Sequence, residues 1–147
     1  MRLNFALTLL LAIGVLPVTT VADEIDKPFA EAHIVLQIAD GDDESQGRVL
    51  SVANNLIKHY GGPDFVDIEI VAYGPGIALL YRGSSNAERI SSLLVNGVRF
   101  VGCLNTLDTI ERKTGKRPEL IPDAMTVQTG VAHIVERAMQ DYVVVRP

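Results

Sequence analysis

His33-Ile34-Val35-Leu36-Gln37-Ile38-Ala39 is a nearly continuous apolar run of strand length. A strand wetted on one face alternates apolar and polar residues. One covered on both faces does not, so this run suits a central strand of a parallel sheet. Further on, Val66-Asp67-Ile68-Glu69-Ile70-Val71-Ala72-Tyr73 alternates at first, then turns apolar, and reads as a second strand. Between the two, Val49, Val52, Ala53, Leu56, Ile57 and Tyr60 recur at helical spacing, and Gly61-Gly62-Pro63 stops the helix. A helix lying between two strands makes the connection a crossover, so the strands are expected to be parallel.

The same alternation continues toward the C-terminus. Gly74-Pro75-Gly76 ends the second strand in a tight loop, and Ile77-Ala78-Leu79-Leu80-Tyr81 suggests one apolar helical turn beside it. Ser85-Asn86-Ala87-Glu88 has the pattern of a capping box, opening a helix with Ile90, Leu93 and Leu94 that Gly97 closes. Val98, Phe100 and Val101 mark a third strand, and Asn105 and Thr106 are suitable N-caps for a helix running to about Thr114. Met125-Thr126-Val127-Gln128 is a short strand. Thr129 caps a helix bearing Val131, Ile134, Val135 and Ala138, and Tyr142-Val143-Val144-Val145 is the last strand. The pattern predicts an α/β fold, a three-layer α/β/α sandwich around a mainly parallel sheet of about five strands.

Residues 1–22 read as an export signal rather than as part of that fold. Arg2 supplies a thin positive start, Phe5 to Leu16 is an apolar run of signal length, and Thr20-Val21-Ala22 offers small residues for cleavage. Residues 23–32 read as a leader, and residues 33–147 as the domain. The expectation is a periplasmic or secreted protein with no membrane attachment after cleavage. Of 147 residues, 18 are acidic and 13 basic, a net charge of −5, and loss of Arg2 leaves 12 basic residues and about −6. An acidic domain without a basic, aromatic face is a poor partner for nucleic acid. Asp40-Gly41-Asp42-Asp43-Glu44 lacks the ligand spacing of a calcium loop. Asp43 with Gln46 three residues on fits a helix cap better, so neither metal nor cofactor is expected.

One cysteine stands in the chain, Cys103, without a partner for a disulfide. It falls in Val98-Arg99-Phe100-Val101-Gly102-Cys103-Leu104-Asn105-Thr106, a strand delivering the thiol to the mouth of a helix. Backbone N–H groups and the helix dipole there favour the thiolate, the nucleophilic form. In a parallel sheet, ligands gather at the carboxyl ends of the strands. Asp40, the Gly74-Pro75-Gly76 loop and Cys103 all fall at such ends, with Asn105 and Thr106 as hydrogen-bonding neighbours of the sulfur. The three histidines read otherwise: His33 as structural, His59 as a cation suited to a helix C-terminus, and His133 as a surface or flanking residue.

Gly97 to Leu107 around Cys103, with Val71-Ala72-Tyr73-Gly74-Pro75-Gly76 upstream, resembles the DsrE/DsrF-like family. Gly130-Val131-Ala132-His133-Ile134, Asp141 to Val145, and Asn54-Asn55-Leu56 in the first helix fit the same resemblance, which spans about residues 32–146. It implies a compact α/β/α domain assembled as a homo-oligomer, a trimer or hexamer. In the sulfur-relay members a cysteine accepts sulfane sulfur as a persulfide and passes it to a partner protein. The expected function is therefore an exported sulfur carrier with Cys103 as its reacting atom, working with a sulfur donor or acceptor protein. The alternative is a non-catalytic module of the same fold that binds a small ligand or a partner subunit, with Cys103 merely packed. A Ser-His-Asp hydrolase is disfavoured, because no nucleophile-elbow motif is present.

Overall fold

The structure is a computed structural model that describes residues 27–147; the export signal expected at 1–22 and the first part of the expected leader lie outside the described residues. Among the described residues, five strands and four α-helices alternate: β1 (Ala32–Ile38), α1 (Asp43–His59), β2 (Val66–Ala72), α2 (Ala87–Val95), β3 (Arg99–Cys103), α3 (Leu104–Thr114), β4 (Met125–Val127), α4 (Gly130–Ala138) and β5 (Val143–Val145). A three-ten helix at Gly74–Leu80 follows β2. The strands form a single sheet in the order β4-β3-β2-β1-β5, with every neighbouring pair parallel.

That order explains which side each helix takes. Three successive crossovers step one way, from β1 to β2 to β3 to β4. The fourth returns past all of them, to the far side of β1. Right-handed crossovers travelling in opposite directions place their helices on opposite faces. One face carries α1, α2, α3 and the three-ten helix over Ile34, Leu36, Ile68, Ile70 and Phe100, all buried. The other is covered by α4, with Ile134 packed among Val35, Val71 and Val101. The layers are three, as expected; the third is thin.

Helix ends differ from the expected caps. The α1 cap is Asp42, whose Oδ1 accepts the Ser45 N–H at 2.8 Å, and not Asp43. Gln46 is buried and does other work: its Nε2 donates to the Gly41 carbonyl at 3.0 Å, and its Oε1 accepts from Asn86 at 3.1 Å. Asn86 is the N-cap of α2, without a side-chain capping bond, and the capping box expected from Ser85 to Glu88 does not form. At α3 the N-cap is Cys103 itself, with Asn105 and Thr106 inside the first turn. The strand runs directly into the helix there. The stop of α1 is as expected: Gly61 takes φ +84°, and the Gly62 N–H reaches back to the Ile57 carbonyl at 2.9 Å.

Candidate functional site

Side chains alternate along each strand, so the register fixes what faces α4. From β2 these are Asp67, Glu69 and Val71, with Tyr73 just beyond, and from β3 they are Arg99, Val101 and Cys103. Cys103 stands at the carboxyl end of this face and is 5 % exposed. Its sulfur accepts the N–H of Gly130, the first residue of α4, at 3.3 Å, and lies 3.8 Å from the Gln128 carbonyl. Two helix N-termini, those of α3 and α4, thus meet at one atom. Burial works against the thiolate. The Gly130 amide, the Thr106 hydroxyl and amide, and the Asn105 amide outweigh it and hold the thiol below its ordinary value.

Glycine at 130 eases this close approach. A Cβ placed on it would stand 3.2 Å from the Cβ of Cys103 and 3.4 Å from that of Tyr73. A larger residue would press on both, and something would have to give by a few tenths of an ångström.

The residues expected around the thiol divide into two groups. Gly74, Pro75, Asn105 and Thr106 come together with Ile77, Tyr81, Thr109, Ile110 and Lys113 to line a cleft of about 490 Å³ between the three-ten helix and α3. Cys103 is not among its lining residues. Thr106 links the two places, since its Oγ1 accepts the Gly74 N–H at 3.0 Å and its hydroxyl also acts on the sulfur. Asn105 is spent on the chain: it donates to Thr129 Oγ1 at 2.9 Å and accepts from Gln128 Nε2 at 2.6 Å, fastening α3 to the entry of α4. Gly76 lies behind the cleft, where a Cβ would come within 2.5 Å of the Ile38 carbonyl oxygen; it lets the loop pack on β1. Asp40 takes part elsewhere, accepting from Arg146 at 2.9 Å beyond the end of β5.

At the opposite end of the α4 face stands a cluster the sequence reading did not find. Arg99 grips Asp67 with both terminal nitrogens, at 2.7 and 3.0 Å, and reaches Glu69 through Nε at 3.2 Å. Glu69, fully buried, also receives Arg137 Nη2 at 3.2 Å and His133 Nε2. Tyr142 donates its hydroxyl to Asp67 and accepts from Arg99 at 3.1 Å, while His33 Nδ1 lies 3.5 Å from Asp67. His133 flanks the inward stripe of α4, as expected, but its side chain, 14 % exposed, is turned onto the sheet and meets Glu69. Burial disfavours the charged forms of Asp67 and Arg99, but their pairing prevails. Asp67 is held below the usual carboxylate range by Arg99, Tyr142 and His33, and Arg99 is held above its ordinary value by Asp67. Burial and the bond to Asp67 push Tyr142 up to about 12.

One signal in the sequence pointed to the cluster. Asp67 and Glu69 alternate with apolar residues as a wetted strand would, yet β2 is an inner strand of a parallel sheet. Acids buried there require cationic partners. Arg99, in direct register with Glu69, is one that serves both acids.

Among the described residues, no group of three or more His, Cys, Asp or Glu is placed to hold a metal ion, and no helix is long and apolar enough to cross a membrane.

No protein-family model matches the chain, and neither does any curated protein. A solved structure does. It is that of MTH1491 from Methanobacterium thermoautotrophicum, described as a protein of unknown function, which superposes with a TM-score of 0.70 at 32 % sequence identity. The match covers 80 % of this chain and 100 % of the archaeal one. At that identity, over the whole of the archaeal protein, the likeness is one of descent as well as shape: the chain belongs to the same family as MTH1491.

Proposed function

We propose that the protein is an exported sulfur carrier of the DsrE/DsrF-like type, with Cys103 as the atom that takes up and passes on sulfane sulfur. The observation that carries this reading is the meeting of two helix N-termini at one thiol, with the Gly130 N–H 3.3 Å from the sulfur. A thiolate stabilised in this way attacks the outer sulfur of a persulfide or polysulfide donor. A sulfur–sulfur bond forms at Cys103 as the donor's own breaks, and the donor leaves as a thiolate. An acceptor thiolate then attacks the outer sulfur and releases the Cys103 thiolate. No outside oxidant or reductant is consumed.

The valines and methionine on the thin side of the molecule support assembly as a homo-oligomer. Val131, Val135 and Met139 form an exposed stripe on α4, and Val143 and Val144 are exposed on the edge strand β5.

Incubation with inorganic polysulfide followed by mass spectrometry tests the transfer reading. One added sulfur atom on the wild-type chain, absent from Cys103→Ser, is the expected result. A wild-type chain that stays unmodified ends the proposal.

A specific observation favours a second reading, a binding module with an inert thiol: Cys103 is only 5 % exposed and does not line the neighbouring cleft. It predicts slow alkylation of Cys103, insensitive to pH near neutrality. A ligand would then occupy the cleft between Pro75 and Ile110.

A further inference from the structure

α4 is a short helix held at both ends, and the two ends do different things. Gly130, Ile134 and Arg137 share its inward stripe, with His133 beside them. From Gly130 to Arg137 the helix rises roughly 10 Å. Along the sheet, Glu69 and Tyr73 are four residues apart on β2, roughly 13 Å, and Tyr73 stands beside Cys103. Two turns of helix therefore bridge the distance from the thiol to the ionic cluster. At one end the Gly130 N–H meets the sulfur. At the other, His133 and Arg137, one turn apart, both close on the single carboxylate of Glu69. Ile134 packs between them on Val35, Val71 and Val101. An apolar plug fixes the height of a helix over a sheet but tolerates sliding, whereas ion pairs that meet at one buried carboxylate fix its register.

We propose that Glu69 is a positioning residue which, by gripping His133 and Arg137, seats the first turn of α4 and its Gly130 N–H on the Cys103 sulfur. The inference rests on the sulfur-carrier reading above and names what sets its reactivity. The groups facing the sulfur are the Gly130 amide from α4, Thr106 and the Asn105 amide from α3, the Gln128 carbonyl before α4, and Tyr73 after β2. Those facing the Glu69 carboxylate are Arg99 from β3 and His133 and Arg137 from α4, with Asp67 and Tyr142 bound to Arg99. The cluster thus acts on the thiol through the placement of the helix.

The test is the pH profile of Cys103 alkylation by iodoacetamide on the full chain, for wild type, Glu69→Gln, His133→Gln and Asp42→Ala. Asp42→Ala removes the N-cap of α1, a helix on the face of the sheet opposite the thiol and the ionic cluster, as a control for general destabilisation. The wild-type midpoint is expected below that of an ordinary cysteine. Glu69→Gln and His133→Gln raise it by about half a unit, a ~3-fold slowing at neutral pH, while Asp42→Ala leaves it in place. His133→Gln, at the rim of the cluster, serves if Glu69→Gln does not fold. A lowered wild-type midpoint that neither variant moves overturns the positioning role and leaves the sulfur-carrier reading standing. A wild-type midpoint at the ordinary value removes that reading, and this inference with it.

Discussion

The two faces of the sheet are built on opposite principles. Under α1, α2 and α3 the interior is hydrocarbon, with Phe100, Leu36, Ile68 and Ile70 wholly buried. Under α4 the same strands turn in two acids, an arginine and the thiol. Hydrocarbon surfaces gain from burial whatever their exact alignment, so several helices can share that face. Buried charges gain only when their partners stand at hydrogen-bonding distance, so the other face needs one helix held in one place. The broad face stabilises the domain, and the narrow one fixes a geometry. Chemistry that depends on a few tenths of an ångström belongs on the second.

The contrast can be broken at several points. Phe100→Ala removes the largest fully buried side chain of the broad face and should lower stability by about 4 kcal/mol, read from urea unfolding, without moving the pH profile of Cys103. Arg99→Met leaves Asp67 and Glu69 buried without their shared cation and should lower stability by about 3 kcal/mol. Unlike Phe100→Ala, it also disturbs the thiol. Equal thiol profiles in the two variants would erase the distinction between the faces.

The ionic cluster should also make stability depend on pH in two windows. Asp67 is more acidic folded than unfolded, so its contribution is present above 3.8 and is lost as pH falls through its lower folded value. Tyr142 is less acidic folded than unfolded, so its contribution is present below 10.0 and is lost as pH rises toward about 12. Asp67→Asn should flatten the acid limb of the stability curve and Tyr142→Phe the alkaline limb, both followed by thermal unfolding across pH. Limbs that stay unchanged would mean that these groups are not paired as described.

Smaller effects come from the helix itself. Gly130→Ala gains helix propensity but pushes on Cys103, so stability should change by no more than about 1 kcal/mol while the alkylation midpoint rises. Val135→Asp, on the exposed stripe, should change the stability of the fold by less than about 0.5 kcal/mol. If that stripe joins copies of the chain, the variant will sediment as a smaller species.

Much of the architecture was legible from the sequence because it rests on local patterning. The apolar run at 33–39, the helical spacing from Val49 to Tyr60 and the glycine stops each follow from neighbours within a few residues. The position of Cys103 where a strand meets a helix was legible for the same reason. The expected partner of Asp43 was lost to a distant residue: the Gln46 side chain bonds to Gly41 and to Asn86, 40 residues away, and the cap of α1 falls to Asp42. The spacing of His133 along α4 marks it as a flanking residue but gives no hint that Glu69 lies beneath it.

What the residues determined by themselves was the succession of strands and helices and the parallel sense of the sheet, since period and punctuation act over short range. The tertiary structure alone decided the strand order, and with it that β2 is an inner strand, that Asp67 and Glu69 meet Arg99, and that α4 crosses the face opposite the other helices. It also decided that the amide over the sulfur comes from Gly130, 27 residues further along the chain. Whether an acid on a strand faces water or a buried arginine depends on which strand lies beside it, and no local pattern carries that information.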